Sequence, residues 1–107
     1  MSLSETSSPF REAEAWCSAY GDGKWYLPNT NTLRTIDSNK SKLNATLTEV
    51  GGTTLATRYY YWSSTVYDVY GYAYGTYMEI FSFESGSLIN GGGYIKSTNH
   101  VRAVRAL

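Results

Sequence analysis

The sequence is poor in cysteine and histidine, the residues that stabilise small domains through disulfides and metal sites, and it carries no net charge. It contains one cysteine, one histidine and equal numbers of acidic and basic residues among 107 positions. A single cysteine, Cys17, excludes an intrachain disulfide, and with His100 it falls short of the four ligands of a structural zinc site. We therefore expect a single domain, residues 1–107, that is held by packing alone, carries no cofactor and buries Cys17 as a small apolar residue.

The neutral charge also narrows the class of partner. A net charge of zero lacks the basic surface of nucleic-acid-binding proteins and the polybasic patch that attracts anionic lipids. No apolar run approaches the roughly 18 residues of a membrane-spanning helix. The opening, MSLSETSSPF, lacks the charged and apolar regions of a secretory signal. We expect no nucleic-acid partner, no membrane insertion and no signal peptide in this chain.

Signals of catalysis are scarce. His100 has no serine, cysteine or carboxylate beside it in a known nucleophile context, and Ser63 and Ser64 do not stand in a nucleophile elbow. The glycine triplet 91–93 does not link a strand to a helix, so a phosphate-binding loop is not expected. The acidic residues of the second half are too dispersed for a calcium loop. The sequence predicts that the protein is not an enzyme.

The chain divides near residue 58 into a helical part, about residues 8–52, and a β-rich part, about residues 53–107. In the second part tyrosine, threonine, valine and phenylalanine dominate and glycines mark turns. The pattern predicts a hairpin over 76–95 and a final strand over 100–107. Helices followed by strands indicate an α+β fold with an antiparallel sheet.

Local signals place the helices. Ser8 and Pro9 are typical of a helix start, with the serine as cap and the proline at the first helical position. A second start lies at residues 29–31, where Asn, Thr and Asn are all competent caps. The polar run 37–40 leaves open whether one helix or two follow before the stop signal at residues 51–52.

Tyrosines are concentrated in one stretch. Residues 59–77 hold eight of the eleven tyrosines. Strand propensity accounts for residues 59–61, but Asp68, Gly71 and Gly75 interrupt any regular strand around the tyrosines that follow. Tyrosine mixed with serine, glycine and asparagine is the composition of antibody paratopes, because the phenol offers a large contact area with few torsions to freeze. The composition favours a displayed binding surface over tyrosines that only stabilise a sheet.

Three segments carry a resemblance to a known family: residues 25–33 (WYLPNTNTL), 51–65 (GGTTLATRYYYWSST) and 101–107 (VRAVRAL). Together they resemble bacterial C-type-lectin-like domains of the Fib_succ_major kind. Within that group the chain looks most like the variable proteins that diversity-generating retroelements mutate in gut Bacteroidetes and their phages. The resemblance implies a C-type lectin fold, with two helices flanking a small twisted antiparallel sheet. The N-terminal strand usual in that fold is hardly visible in residues 1–7.

The resemblance also implies a binding face. In such variable proteins, mutation of adenines yields tyrosine, aspartate, serine, asparagine, glycine or histidine on one exposed face that contacts a surface receptor. The residues expected to bind ligand here are Tyr67, Asp68, Tyr70, Tyr72, Tyr74, Tyr77, Tyr94, Ser97, Asn99 and His100. Asn90 and Gly92 match the pattern less well, as does Tyr94.

The function that follows is a non-catalytic module that binds a protein or glycan on a cell or phage-host surface. It would act on a bacterial surface or a virion, and its oligomeric state is open. Three alternatives remain: a fixed-specificity adhesin or fimbria-associated domain, a structural subunit that buries its tyrosines, and a relative of formylglycine-generating enzymes. The last would need a reactive cysteine pair or a metal cluster. The calcium-dependent sugar motifs of animal lectins are absent, so the fold name does not imply a sugar ligand.

Five residues are expected to support the fold. Trp62 should be buried with its indole N–H bonded to the backbone, and Ser63 and Ser64 should fix the turn that follows. Arg102 and Arg105 should form ion pairs or contact an acidic ligand. Their candidate partners are Glu12, Glu14 and Asp68.

If the central tyrosines are displayed, removing them should cost little stability. We expect the variant with Tyr70→Ala, Tyr72→Ala and Tyr74→Ala to keep a melting temperature close to that of the wild type, because exposed side chains contribute little to folding. Thermal denaturation followed by circular dichroism measures this. A large drop in melting temperature would place these rings in the core.

Overall fold

The computed structural model describes residues 1–67 and 75–105. In these ranges the helices are α1 (Phe10–Ala19), α2 (Thr30–Ser38) and α3 (Lys40–Val50). The strands are β1 (Thr6–Ser8), β2 (Trp25–Tyr26), β3 (Tyr60–Val66), β4 (Tyr77–Ser82), β5 (Ser87–Leu88), β6 (Gly93–Tyr94), β7 (Asn99–Val101) and β8 (Val104–Arg105). The protein thus has an α+β architecture. Strand β1 precedes α1 in the sequence, β2 lies between α1 and α2, and the other six strands follow α3.

Six of these strands form one mixed sheet. Its order is β1-β7-β3-β4-β5, and β6 also pairs with β4. The pairing of β3 with β7 is parallel, with Tyr61 opposite His100, whereas the other pairings are antiparallel. The expectation of a purely antiparallel sheet is therefore wrong. The chain leaves β6, beside β4, and crosses to the other side of β3, so β7 is not a hairpin neighbour of β3.

Both ends of the described chain differ from the sequence prediction. An N-terminal strand is present: β1 pairs with β7, and Thr6 lies opposite Val101. Its residues, Thr-Ser-Ser, show no apolar alternation, so no local pattern indicated this strand. The segment 100–105 is not one continuous strand, because β7 belongs to the large sheet and β8 pairs with β2 in a second sheet. Arg102 and Ala103, between the two strands, are buried.

Helix α1 begins one residue later than predicted. Pro9 is its N-cap, in an extended conformation with φ −62° and ψ 165°, and Phe10 is the first helical residue. Ser8 is not the cap, because its backbone is paired with Asn99 in the sheet. The helix therefore begins only after β1 has ended at Ser8.

The second helical region is two helices, which makes three in the described chain instead of the expected pair. Asn29 caps α2, and its side-chain oxygen accepts a hydrogen bond from the N–H of Thr32 at 2.8 Å. Asn39 separates α2 from α3 with φ −112° and ψ 13°. Gly51 ends α3 at φ 76°, a left-handed conformation that favours glycine.

Two hydrophobic clusters lie on the two faces of the large sheet. The first joins α1 to the sheet through Phe10, Ala13, Cys17, Trp62, Met78, Ile80 and Val101. The second joins α2 to the sheet through Leu33, Ile36, Tyr61, Phe81, Phe83 and Val104. Successive residues of β4 point to opposite faces, which puts Ile80 towards α1 and Phe81 towards α2. Cys17 is fully buried, as predicted, and its burial raises the pKa of the thiol to about 12.

A buried ionic network joins the N-terminal segment to β3 and β7. The Glu5 carboxylate accepts hydrogen bonds from the Tyr61 hydroxyl at 2.7 Å and from an Arg102 Nη at 2.5 Å. Its second oxygen lies 2.7 Å from Nδ1 of His100. Arg102 is 1% exposed and also donates to two backbone carbonyls. We name Glu5, Tyr61, His100 and Arg102 the Glu5 cluster, in which desolvation of the phenol raises the pKa of Tyr61.

Removing the charge of Glu5 should destabilise the fold strongly. Glu5→Gln keeps the shape of the side chain but leaves the buried Arg102 guanidinium without a counter-charge, and we expect a loss of about 3 kcal/mol in the free energy of unfolding. Urea denaturation measures it. The control, Glu12→Gln on the exposed side of α1, should change that free energy by less than about 0.5 kcal/mol. Equal effects of the two substitutions would contradict a central role for the cluster.

Candidate functional site

The structure describes six of the ten residues that the sequence assigns to ligand binding. Asp68, Tyr70, Tyr72 and Tyr74 lie outside the described residues. The six described residues are Tyr67, Tyr77, Tyr94, Ser97, Asn99 and His100. They fall into two groups, which differ in their surroundings.

Three of the expected tyrosines lie side by side. Tyr67 follows β3, and its N–H donates to the carbonyl of Tyr77 in β4 at 3.0 Å. Tyr77 is directly opposite Tyr94 of β6, and their ring centroids are 5.6 Å apart at an interplanar angle of 44°. Aromatic neighbours across strands stabilise each other's position. We name Tyr67, Tyr77 and Tyr94 the tyrosine row.

The tyrosine row lies at the rim of the sheet face that α2 covers. Tyr77 and Phe81 point to the same face of β4, since they are four residues apart in one strand. Phe81 is fully buried against α2, whereas Tyr94 keeps 40% of its surface exposed. Tyr67 and Tyr77 are half-buried. The row is thus anchored along one edge and open to solvent along the other.

The turn at Gly91 and Gly92 holds Tyr67 in place. Gly92 has φ +63°, and a Cβ there would lie 2.8 Å from Cγ of Tyr67 and 2.9 Å from the carbonyl oxygen of Met78. The Tyr67 hydroxyl accepts a hydrogen bond from the N–H of Gly91 at 3.2 Å. No side chain fits at Gly92. Gly92 thus supports the row by leaving room for Tyr67.

Ser97 is exposed and lies next to the row. Its N–H donates to the carbonyl of Tyr94 at 2.9 Å, which closes a turn directly after β6. A short turn of this kind holds its residues close together. We name the tyrosine row together with Ser97 the tyrosine surface.

Asn99 and His100 do not share one face. A Cβ at Gly93 would lie 3.3 Å from Nδ2 of Asn99 and 3.0 Å from the Trp62 ring, which places Asn99 on the side of the first cluster. The His100 ring stacks on Tyr59, with centroids 4.5 Å apart at 11°. Adjacent strand residues point to opposite faces, so the structure does not gather the two side chains on one surface.

His100 has a carboxylate beside it, contrary to the sequence analysis. The carboxylate is that of Glu5, 95 positions earlier in the chain, so sequence context held no sign of it. Within the described residues, no serine, threonine or cysteine side chain is hydrogen-bonded to His100. The pair joins β1 to β7, and His100 takes part in the Glu5 cluster.

Trp62 and Ser63 hold the centre of the sheet. Trp62 is fully buried, and its indole N–H donates to the carbonyl of Ser8 at 2.7 Å, as the sequence predicts. The Ser63 hydroxyl donates to the carbonyl of Glu79 at 2.7 Å and accepts from the N–H of Thr65 at 3.1 Å. These bonds fix an irregularity inside β3, between Trp62 and Val66.

Ser64 and the two arginines have other contacts than predicted. Ser64 is exposed, and its backbone N–H, not its hydroxyl, bonds to the carbonyl of Pro28. Arg102 pairs with Glu5, and Arg105 pairs with Asp22 at 2.6 Å. The predicted partners on α1 are therefore wrong, and Glu14 pairs with Arg11 at 3.0 Å. Glu12 lies on the exposed side of α1 and forms no salt bridge within the described chain.

Among the described residues, no group of three or more histidine, cysteine, aspartate or glutamate side chains is arranged to hold a metal ion. None of the helices in these ranges has the length and apolar character needed to cross a membrane.

No family model matches the chain, and no curated protein sequence is significantly similar to it.

Substitutions at the neighbouring residues Gly91 and Gly92 test whether Tyr67 packs on Gly92. Gly91→Ala introduces a side chain at φ +95° into open space, and we expect a cost of about 1 kcal/mol from backbone strain alone. Gly92→Ala adds clashes with Tyr67 and with the carbonyl oxygen of Met78, so we expect a total of about 3 kcal/mol. Urea denaturation of both variants measures the difference. Equal losses would mean that Tyr67 is not packed on Gly92.

Proposed function

We propose that the chain is a non-catalytic binding module, in which a C-type-lectin-like scaffold presents the tyrosine surface to a protein or glycan on a cell or phage-host surface. The observation that carries the proposal is the tyrosine row: neighbouring phenols supplied by three adjacent chain segments. The segment 68–74, whose sequence contains three more tyrosines, follows Tyr67 directly. The proposed contact surface includes that segment.

The anchoring of the row suits it to binding. Part of the cost of association is the ordering of side chains at the interface. Tyr67 is held by the glycine turn, and Tyr77 and Tyr94 are in mutual contact. Much of their freedom is therefore lost before a partner arrives. Tyrosine then offers a large apolar face with a hydroxyl at its tip, which suits partners of mixed polarity.

Two features of the scaffold support the C-type-lectin-like proposal. The N-terminal strand β1 pairs with β7 near the end of the described chain. Helices pack on both faces of the large sheet. A helical layer on each face of the sheet and an N-terminal strand paired near the end of the described chain are the two features that the resemblance implies and that support the proposal. The two-stranded sheet of β2 and β8 is a further element of this scaffold.

The proposal predicts that binding depends on the exposed part of the row. The domain, labelled with a fluorophore, is incubated with a panel of gut Bacteroidetes strains, and bound fluorescence is measured by flow cytometry. We expect staining of a subset of strains. The double variant Tyr77→Ala and Tyr94→Ala should lose about 30-fold or more in apparent affinity, because truncating a tyrosine at the centre of an interface costs about 2 kcal/mol.

A matched control separates the site from a general effect of tyrosine. Tyr26 and Tyr60 are 49% and 44% exposed and lie in β2 and β3, outside the tyrosine surface. The double variant Tyr26→Ala and Tyr60→Ala should stain cells like the wild type. Equal losses in the two double variants, with both still folded by circular dichroism, would contradict the proposed surface.

A comparison of DNA sequences distinguishes a diversified module from an adhesin of fixed specificity. Diversification requires a near-copy of the 3′ end of the gene close by, differing from it only where the copy has adenines. The codon for Gly92 should not vary within such a set, because the position admits no side chain. A gene without any such copy would favour the fixed-specificity alternative.

A further inference from the structure

A second concave surface lies between α2, α3 and β8. It is open to solvent and has a volume of about 430 Å³. Ligand sites for small molecules commonly fall between about 300 and 1,000 Å³, so the space is sufficient for one such ligand. We name it the α2–α3 groove. The buried or half-buried apolar residues of its lining, Met1, Ile36, Leu43 and Val104, form the floor, and the exposed Thr35, Thr46 and Lys42 form the walls and rim.

The floor and walls of the groove suit an apolar ligand body. Ile36 and Val104 belong to the second hydrophobic cluster, and Leu43 packs against it. The hydroxyls of Thr35 and Thr46 each donate to the backbone carbonyl four residues earlier, at 3.1 Å in both cases. These donors are already satisfied, so the walls do not require a polar partner.

The charge around the groove favours an anion. No acidic residue lines it, whereas Lys42 and Arg105 do. Lys42 is exposed and forms no salt bridge within the part of the chain that the structure describes. One Nη of Arg105 is bound to Asp22, which partly neutralises that guanidinium. Among the lysine and arginine side chains that line the groove, Lys42 is therefore the one whose charge no acidic residue neutralises within the described chain.

From this combination we propose that the α2–α3 groove binds a small amphiphilic carboxylate, an apolar body of about ten carbons with its carboxylate at Lys42. The apolar body lies against Met1 and Leu43, whose partly exposed surface it removes from water, above the already buried Ile36 and Val104. The site is separate from the tyrosine surface and does not depend on the function proposed for it.

The test uses decanoate as the probe, below the concentration at which it forms micelles, with the amide spectrum of the ¹⁵N-labelled protein as the readout. We expect decanoate to shift the resonances of Thr35, Leu43 and Thr46. Decyltrimethylammonium, which has the same chain length and the opposite charge, should bind more weakly. Lys42→Glu should weaken decanoate binding roughly fivefold, since it replaces an exposed attraction with a repulsion.

A bulky substitution tests the location. Thr35→Trp fills the groove and should weaken decanoate binding by about tenfold or more. Thr48→Trp is the matched control, because Thr48 is also an exposed threonine whose hydroxyl donates to the carbonyl four residues earlier. It does not line the groove and should leave binding unchanged. If Thr35→Trp does not fold, Thr46→Trp on the opposite wall takes its place.

Three outcomes would overturn the proposal. The first is the absence of localised shifts with decanoate. The second is equal binding of the cationic and anionic probes. The third is equal affinity of Thr35→Trp, or of its replacement, and Thr48→Trp. Localised shifts that favour the anion and disappear when the groove is filled support it.

Discussion

The fold depends on one carboxylate, that of Glu5. The N-terminal segment is short and polar, and nothing in its own sequence would hold it as a strand. Glu5 binds Tyr61 of β3, Arg102 beyond β7 and His100 of β7 together. Because a buried guanidinium without a counter-charge is costly, Glu5 strongly stabilises the folded state. In that state β1 pairs with β7, and the carbonyl of Ser8 accepts the indole N–H of Trp62 at the centre of the first cluster.

Two glycines, Gly92 and Gly93, connect the tyrosine surface to the first hydrophobic cluster. The first cluster fixes Trp62 and Ile80, and Gly93 packs so closely on both that a Cβ would lie 3.0 and 2.8 Å from them. Gly92, next to it, packs closely on Tyr67 in the same way. The position of the row therefore follows from packing inside the sheet, while Tyr94 at its outer edge keeps 40% of its surface exposed.

The sequence predicted what depends on local pattern. The two helical regions, the buried Cys17 and Trp62 and the hairpin strands were visible as periodicity, caps and glycine stops, but the division of the second region into α2 and α3 was left open. It could not predict what depends on distant pairing. Strand β1 has no pattern of its own, and the partners of Arg102 and His100 are 97 and 95 residues away. The glycine triplet gave a turn signal but no sign that it packs beneath Tyr67. Of the expected ligand-binding residues, Tyr67, Tyr77 and Tyr94 lie together, while His100 belongs to the Glu5 cluster.

The most direct test of the account is ¹⁹F NMR of the domain with 3-fluorotyrosine at its tyrosine positions, recorded alone and with surface extract from a strain that it stains. Single substitutions to phenylalanine assign the resonances. The account predicts that the signals of Tyr77 and Tyr94 shift or broaden on binding. Those of Tyr26, exposed on β2, and of Tyr61, buried in the Glu5 cluster, should stay unchanged. A response at Tyr26 with none at Tyr77 or Tyr94 would contradict it.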